Sequence, residues 1–228
     1  MGGRGARAYG RSPGTGTGGG SMGNLNEKRL QYGGKLDDKM VSNINSVQTN
    51  LMYQFPELRN MGDIMVFNTN SRSLSNAYAF VYGGGDAVHV NEKYFSDREN
   101  LYKTYANDVK AGFHPKGTDA GDIVAHEFGH VAHNMIVQKY RGSSTFMNAK
   151  VKSGEDIINT IVRRANTNAN KTTGKTEKLT TRVKQISHYA ERNNHETIAE
   201  AFADVYANGS RANALSTEIV KIIRKELA

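Results

Sequence analysis

The chain has 228 residues, a formal net charge of +8 and no cysteine. A chain of this length suits one domain with extensions and can bury a core without disulfides. The lack of cysteine argues against a disulfide-stapled scaffold and excludes thiolate zinc sites and thiol nucleophiles, so a metal site would depend on His, Asp and Glu. We find no apolar run long enough to cross a bilayer and no secretory signal peptide.

The N-terminal segment, residues 1–23, consists largely of Gly, Arg, Ser and Thr and offers almost nothing to a hydrophobic core. This composition is typical of a disordered tail or linker. We therefore expect one folded domain, which comprises residues 24–228.

The first half of this domain combines helices with short strands. Apolar residues at three- and four-residue spacing predict a helix over 35–55, which ends at Pro56. Three short apolar runs, interpreted as strands, occupy residues 64–67, 77–82 and 87–90. Glycines 83–85 predict a turn between the last two strands, and the sequence 96–99 has the form of a capping box that opens a helix.

The second half is predicted to be mainly helical. One helix runs from a cap at Thr118 or Asp119 to about Tyr140, and another opens at Ser153. Two more helices are predicted from Asn193 or Asn194 to about Ala207 and over 215–227. Residues 166–181, nearly all Asn, Thr, Lys and Gly, are interpreted as a loop. The order of a helix, a small mixed or antiparallel sheet and then mostly helices predicts the α+β class.

The sequence His126-Glu127-Phe128-Gly129-His130 has the pattern H-E-x-x-H within a predicted helix. Residues four apart on a helix project from the same face, so both imidazoles can reach one zinc ion. Glu127 then lies beside the metal, where its carboxylate can take a proton from water. Gly129 lowers helix propensity, which suggests that another element packs closely against it.

A catalytic zinc site of this type needs a third protein ligand, and Glu196 and Glu200 are candidates. They stand four apart on a predicted helix beside a buried apolar stripe, where unpaired carboxylates are costly. One can bind the metal while the other accepts the N–H of a ligating imidazole. The alternative is an acidic helix edge that faces water.

Two further residues near the motif are interpreted more modestly. His133 does not stand where a third histidine ligand of the metzincin pattern is required, because that pattern places Gly at 133 and His at 136. We therefore predict that His133 is a residue of the helix face. Asp122 is a weaker candidate for supporting a metal ligand, and the alternative is a first-turn acid favoured by the helix dipole.

The motif at 126–130, with Tyr189 and the segment Glu196-Thr-Ile-Ala-Glu-Ala-Phe202, resembles the anthrax lethal factor-like zinc peptidases, which include the Pro-Pro endopeptidases. In that family a glutamate ligand opens an E-x-x-A-E-A-F-type segment, and a tyrosine precedes it by seven residues. The resemblance implies a zincin-like fold with one catalytic Zn2+ held by His126, His130 and Glu196. It assigns Glu127 as general base, Glu200 as support of a ligand, and Tyr189 as a donor to the oxyanion.

The resemblance covers residues 63–228 and implies a zinc-dependent endopeptidase acting on a protein or peptide. It also implies an edge strand that holds extended substrate, either 77–82 or 87–90. A catalytically inactive zincin-fold module, for example a phage-particle component or a delivered effector, is the alternative, although such a module needs no Glu127. We expect the protein to act in the cytoplasm of its producer or to be exported without a signal peptide. No sequence feature specifies an oligomeric state.

A basic segment between Lys139 and Lys184 holds eleven Lys or Arg residues and three acidic residues, a net of +8 that equals the charge of the whole chain. This segment is consistent with an acidic partner, but charge runs are more often solvated and partly flexible inserts. Only Tyr140 and Phe146 interleave with the charges, whereas single-stranded nucleic acid is bound through many aromatic residues. We therefore do not expect nucleic acid to be a partner, and a nucleic-acid-binding protein remains a second alternative.

Overall fold

The computed structural model describes residues 30–31, 35–68 and 74–228. These residues form a mostly helical structure with one small sheet, in agreement with the predicted α+β class. The tail predicted over residues 1–23 lies outside the described residues. Within the described part of the chain, every helix is too short or too polar to cross a membrane.

The main sheet is mixed and has four short strands. They are β1 (Leu30–Gln31), β2 (Ile64–Phe67), β3 (Ala79–Val81) and β4 (Val88–Asn91), in the spatial order β1-β2-β4-β3. Strand β2 runs parallel to β1 and β4, whereas β3 is antiparallel to β4. The three predicted strands are confirmed, with shorter bounds. Because β4 pairs on both sides, 87–90 is wrong as a candidate edge strand, and β3 is the candidate that lies at an edge of the sheet formed by the described residues.

Eight α-helices, four short 3-10 helices and a second sheet, a two-stranded hairpin, complete the described chain. The α-helices are α1 (Asp38–Gln54), α2 (Glu92–Phe95), α3 (Arg98–Lys110), α4 (Ile123–Lys139), α5 (Gly154–Thr173), α6 (Leu179–Ile186), α7 (Asn194–Asn208) and α8 (Ala214–Leu227). The hairpin consists of β5 (Thr145–Phe146) and β6 (Ala149–Lys150). The helices predicted from apolar periodicity are all present, with ends shifted by a few residues.

The loop predicted over 166–181 is wrong. Helix α5 continues to Thr173, and α6 begins at Leu179 after a left-handed cap at Gly174. Within this extension, residues 166–173, only Ala169 is buried. The basic segment is therefore largely helical.

The predicted capping box at 96–99 also needs correction, because Asp97 rather than Ser96 caps α3 by accepting from the Asn100 N–H. This difference moves the helix start by one residue without changing the buried face. Leu101 and Tyr105 pack into the core as the apolar spacing predicted.

Helix α4 passes through the middle of the core and packs most extensively against α7. The closest approach is at Gly129, where an added Cβ would lie 2.7 Å from the Ala199 Cα. The expectation that another element packs against Gly129 is therefore confirmed. This close contact brings the carboxylates of α7 to the histidines of α4.

Candidate metal centre

A reciprocal cap fixes the 3-10 turn Ala120–Asp122, which leads directly into helix α4. Asp119 accepts from the Gly121 N–H, and the Asp122 carboxylate accepts from the Asp119 N–H at 2.8 Å. Burial raises the pKa of Asp122 to about 6. The prediction that Asp122 supports a metal ligand is not upheld by its contacts, because its carboxylate is engaged in the cap.

Helix α7 begins beside the centre of α4. Asn193 caps it by accepting from the Glu196 N–H at 3.0 Å, which fixes the first turn that carries Glu196. Glu196 and Glu200 follow one turn apart on the face that meets α4. Glu200 is completely buried, so the alternative of a solvated acidic edge is wrong for this residue.

Three atoms converge between the two helices. The Glu196 Oε2 lies 3.4 Å from the His126 Nε2 and 3.3 Å from the His130 Nε2, and all three atoms lie within 4.8 Å of one another. Ligands at ~2.0–2.1 Å in a tetrahedral zinc site are about 3.4 Å apart, so these separations suit such a site. The Glu196 Oε2 is buried and has no hydrogen-bond partner among the described residues, as expected of an atom that faces a cation.

The second ring nitrogen of His126 lies beside Glu200. The His126 Nδ1 lies 2.9 Å from the Glu200 Oε1, although the ring N–H is not well aligned with that oxygen. Glu200 also contacts the His114 Nδ1 at 3.1 Å and accepts from the Ser187 hydroxyl at 2.8 Å. The placement of Glu200 behind a candidate ligand agrees with the role that the resemblance implies.

The second ring nitrogen of His130 contacts a histidine instead of a carboxylate. Its Nδ1 lies 3.1 Å from the Nε2 of His133, whose side chain is buried. The prediction of His133 as a residue of the helix face is therefore incomplete, because this side chain contacts a candidate ligand directly. The three-residue spacing on one helix face was the available signal.

Glu127 and Tyr189 flank the three converging atoms. Glu127 is 5% exposed, and its Oε2 has no hydrogen-bond partner among the described residues. The Tyr189 ring lies 5.9 Å from the His126 ring, and its backbone N–H donates to the Phe113 carbonyl. Arg192 lies over the ring of Tyr189, at 4.8 Å from its centre.

The charges of the site favour a bound cation. Burial acts against a charged His126, but Glu196 and Glu200 outweigh burial and hold the pKa of this imidazole well above its usual value. Burial likewise acts to raise the pKa of Glu196, yet the neighbouring imidazoles hold it well below the usual value. In the absence of a metal ion the carboxylates therefore attract protons to the site, and metal binding would release them.

The pKa values of the two flanking residues, Glu127 and Tyr189, are also shifted. Burial raises the pKa of Glu127. Burial and the Glu196 carboxylate raise the pKa of Tyr189, so its hydroxyl keeps its proton and remains a donor. A carboxylate that accepts protons and a tyrosine that keeps its hydroxyl proton thus lie near the candidate ligands.

No family model, curated protein or solved structure matches this chain. The site is therefore interpreted from its own residues. His126, His130 and Glu196 could together hold a metal ion, and Glu127, Glu200 and Tyr189 lie around them. Sequence reasoning missed His114 and Ser187, which stand in irregular segments without a motif, and only the fold brings them to Glu200.

Proposed function

We propose that this protein is a zinc-dependent endopeptidase with a zincin-like fold. The observation that carries the proposal is the convergence of His126 Nε2, His130 Nε2 and Glu196 Oε2 beside the buried carboxylate of Glu127. Two imidazoles and one carboxylate are a ligand set used by catalytic zinc, which leaves a fourth position for reactants. The resemblance of the motifs to lethal factor-like peptidases supports the same assignment.

His126, His130 and Glu196 would hold the metal ion. When bound, zinc would supply Lewis acidity, which polarises a scissile carbonyl and makes water more acidic. Glu200 orients His126, and the buried wall formed by α4 and α7 limits the access of bulk water to the ligands.

Glu127 is assigned as the general base and then the general acid. Its unpaired Oε2 would take a proton from the attacking water and pass it to the leaving nitrogen. Burial raises its pKa, which makes the carboxylate a better proton acceptor than an exposed glutamate. Tyr189 keeps its hydroxyl proton and would donate a hydrogen bond to the oxyanion, which such donors stabilise by ~3 kcal/mol.

The edge of the sheet supports a peptide as substrate. Among the described residues, strand β3 pairs with β4 alone, so its other side can add an extended chain through main-chain hydrogen bonds. Asn134 of α4 donates to the Gly85 carbonyl at 2.8 Å and so fixes the β3–β4 turn against the helix that carries His126 and His130. An extended peptide along β3 would therefore lie in a fixed position relative to that helix.

Cleavage of a proteome-derived peptide library tests the proposal. The samples are the zinc-loaded protein, the same protein with a zinc chelator, and Glu127→Ala. Cuts that disappear in both controls would support the peptidase and reveal its sequence preference. A folded, zinc-loaded protein that cuts nothing would contradict the endopeptidase and favour an inactive binding module, and a protein that binds no zinc would contradict both.

A further inference from the structure

The environment of His130 differs from that of His126. Each ring directs its Nε2 towards Glu196, but behind the ring His126 meets the Glu200 carboxylate and His130 meets an imidazole. Ligating histidines usually donate their second N–H to a carboxylate, a backbone carbonyl or water. His133 takes that place for His130, with 3.1 Å between His133 Nε2 and His130 Nδ1.

Hydrogen-bond chemistry fixes the protonation of this pair. A histidine that binds a metal through Nε2 carries its proton on Nδ1, so His130 is the donor. The Nε2 of His133 must then be the acceptor, which places the His133 proton on its own Nδ1. That Nδ1 is buried without a partner among the described residues. Burial of this N–H group costs free energy, which the contact between His133 Nε2 and His130 must offset.

The side chain of His195 packs against His133 and is itself held by Glu155. The His195 ring packs edge-on against the His133 ring with 4.8 Å between ring centres, and the His195 Nε2 lies 2.9 Å from the Glu155 Oε2. Glu155 belongs to α5 and His195 to the first turn of α7. The N-terminal end of α5 in the basic segment is therefore connected to the candidate metal centre through side-chain contacts.

We propose that His133 is a positioning residue that accepts the Nδ1–H of His130 through its Nε2 and thereby orients the second imidazole of the metal centre. The proposal rests on the metal site of the proposed function. Loss of the His133 acceptor would weaken metal binding without removing a ligand. Residues that hydrogen-bond the second nitrogen of a ligating histidine typically contribute ~10–100-fold in metal affinity. The required property is an acceptor atom at the Nε2 position, not an aromatic ring.

Three substitutions at position 133 separate this role from packing. In His133→Gln the side-chain oxygen can occupy the place of Nε2, in His133→Asn the oxygen falls near the place of Nδ1, and His133→Leu fills the space without an acceptor. Zinc affinity is measured by competition with a chelating indicator. Thermal unfolding of the metal-free proteins reports packing, and the visible spectrum of the Co2+ forms reports ligand geometry.

We expect His133→Leu and His133→Asn to bind zinc ~10–100-fold more weakly and to show an altered Co2+ spectrum, with His133→Gln close to the unmodified protein. Equal affinities for all four proteins would overturn the proposal. Affinities that follow the unfolding temperatures of the metal-free forms, with Gln no better than Leu, would show a purely structural role. If the unmodified protein binds no zinc, the proposed function itself fails, which is a distinct result.

Discussion

Replacement of Gly129 by Ala tests whether the contact between α4 and α7 sets the geometry of the site. Alanine favours a helix over glycine by ~1 kcal/mol. However, the new Cβ would lie 2.7 Å from the Ala199 Cα and 3.1 Å from the Phe202 Cβ. Carbon atoms pack at about 3.5–4.0 Å, so the two helices must separate by close to 1 Å.

The expected effect is larger on metal binding than on stability. Overpacking costs ~1–3 kcal/mol, and the gain in helix propensity reduces the net loss of stability to about 0–2 kcal/mol. The residues of a binding site tolerate displacements of only ~0.5 Å from their working positions, and Glu196 moves with α7. We therefore expect the zinc affinity of Gly129→Ala to fall about 10–100-fold, as measured by chelator competition.

Gly154→Ala is the matched control for this change. Its Cβ would also meet an atom at 2.7 Å, but that atom is the Cγ1 methyl of Val137, and the contact joins α4 to α5, which carries no candidate ligand. This variant should keep its zinc affinity. If Gly129→Ala binds zinc as tightly as the unmodified protein and is also more stable, close packing at Gly129 does not position the ligands and the reasoning is refuted.

Three further predictions concern single side chains. Tyr189→Phe should lower kcat ~10²–10³-fold at unchanged KM in steady-state cleavage, because an oxyanion donor is lost, and an equal rise in KM instead would assign the residue to substrate binding. Glu200→Gln should weaken zinc binding ~10–100-fold in equilibrium dialysis, because the carboxylate behind His126 is lost, and unchanged binding would contradict that role. Burial raises the pKa of Asp122 from its ordinary value of 3.8 to about 6, so between these pH values the folded protein retains a proton that the unfolded chain has released. Asp122 should therefore lower the free energy of unfolding, by up to about 3 kcal/mol, as the pH rises from 4 to above 6, and Asp122→Asn should make the decline smaller by that amount in urea titrations; an unchanged pH profile would contradict the raised pKa of Asp122.

Periodicity and caps predicted the elements that carry the site. The apolar residues around His126 and the Asn193 cap located α4 and α7, because both helices are largely buried and therefore rich in apolar residues. The extension of α5 was missed because Ala169 is its one buried residue over 166–173, and its other residues are as polar as those of a loop. The polar composition masked a helix with a narrow apolar face.

The candidate ligands were predicted from spacing and resemblance, whereas their support was not. His114 and Ser187 reach Glu200 across long sequence separations, so no local pattern indicates them. His133 was visible as a same-face neighbour of His130, but its burial and the direction of its Nε2 depend on how α7 packs against α4. Tertiary contacts therefore decide which polar residues serve the site.

The most direct test of the central claim compares cleavage of one library-derived peptide by the unmodified protein and by Glu127→Gln at equal, measured zinc content. The account predicts one zinc ion per chain in both proteins and a cleavage rate ~10²–10⁴-fold lower in the variant, because only the proton acceptor has been removed. Equal rates at equal zinc content would contradict the assignment of Glu127. A zinc-loaded unmodified protein without activity towards any library peptide would contradict the endopeptidase.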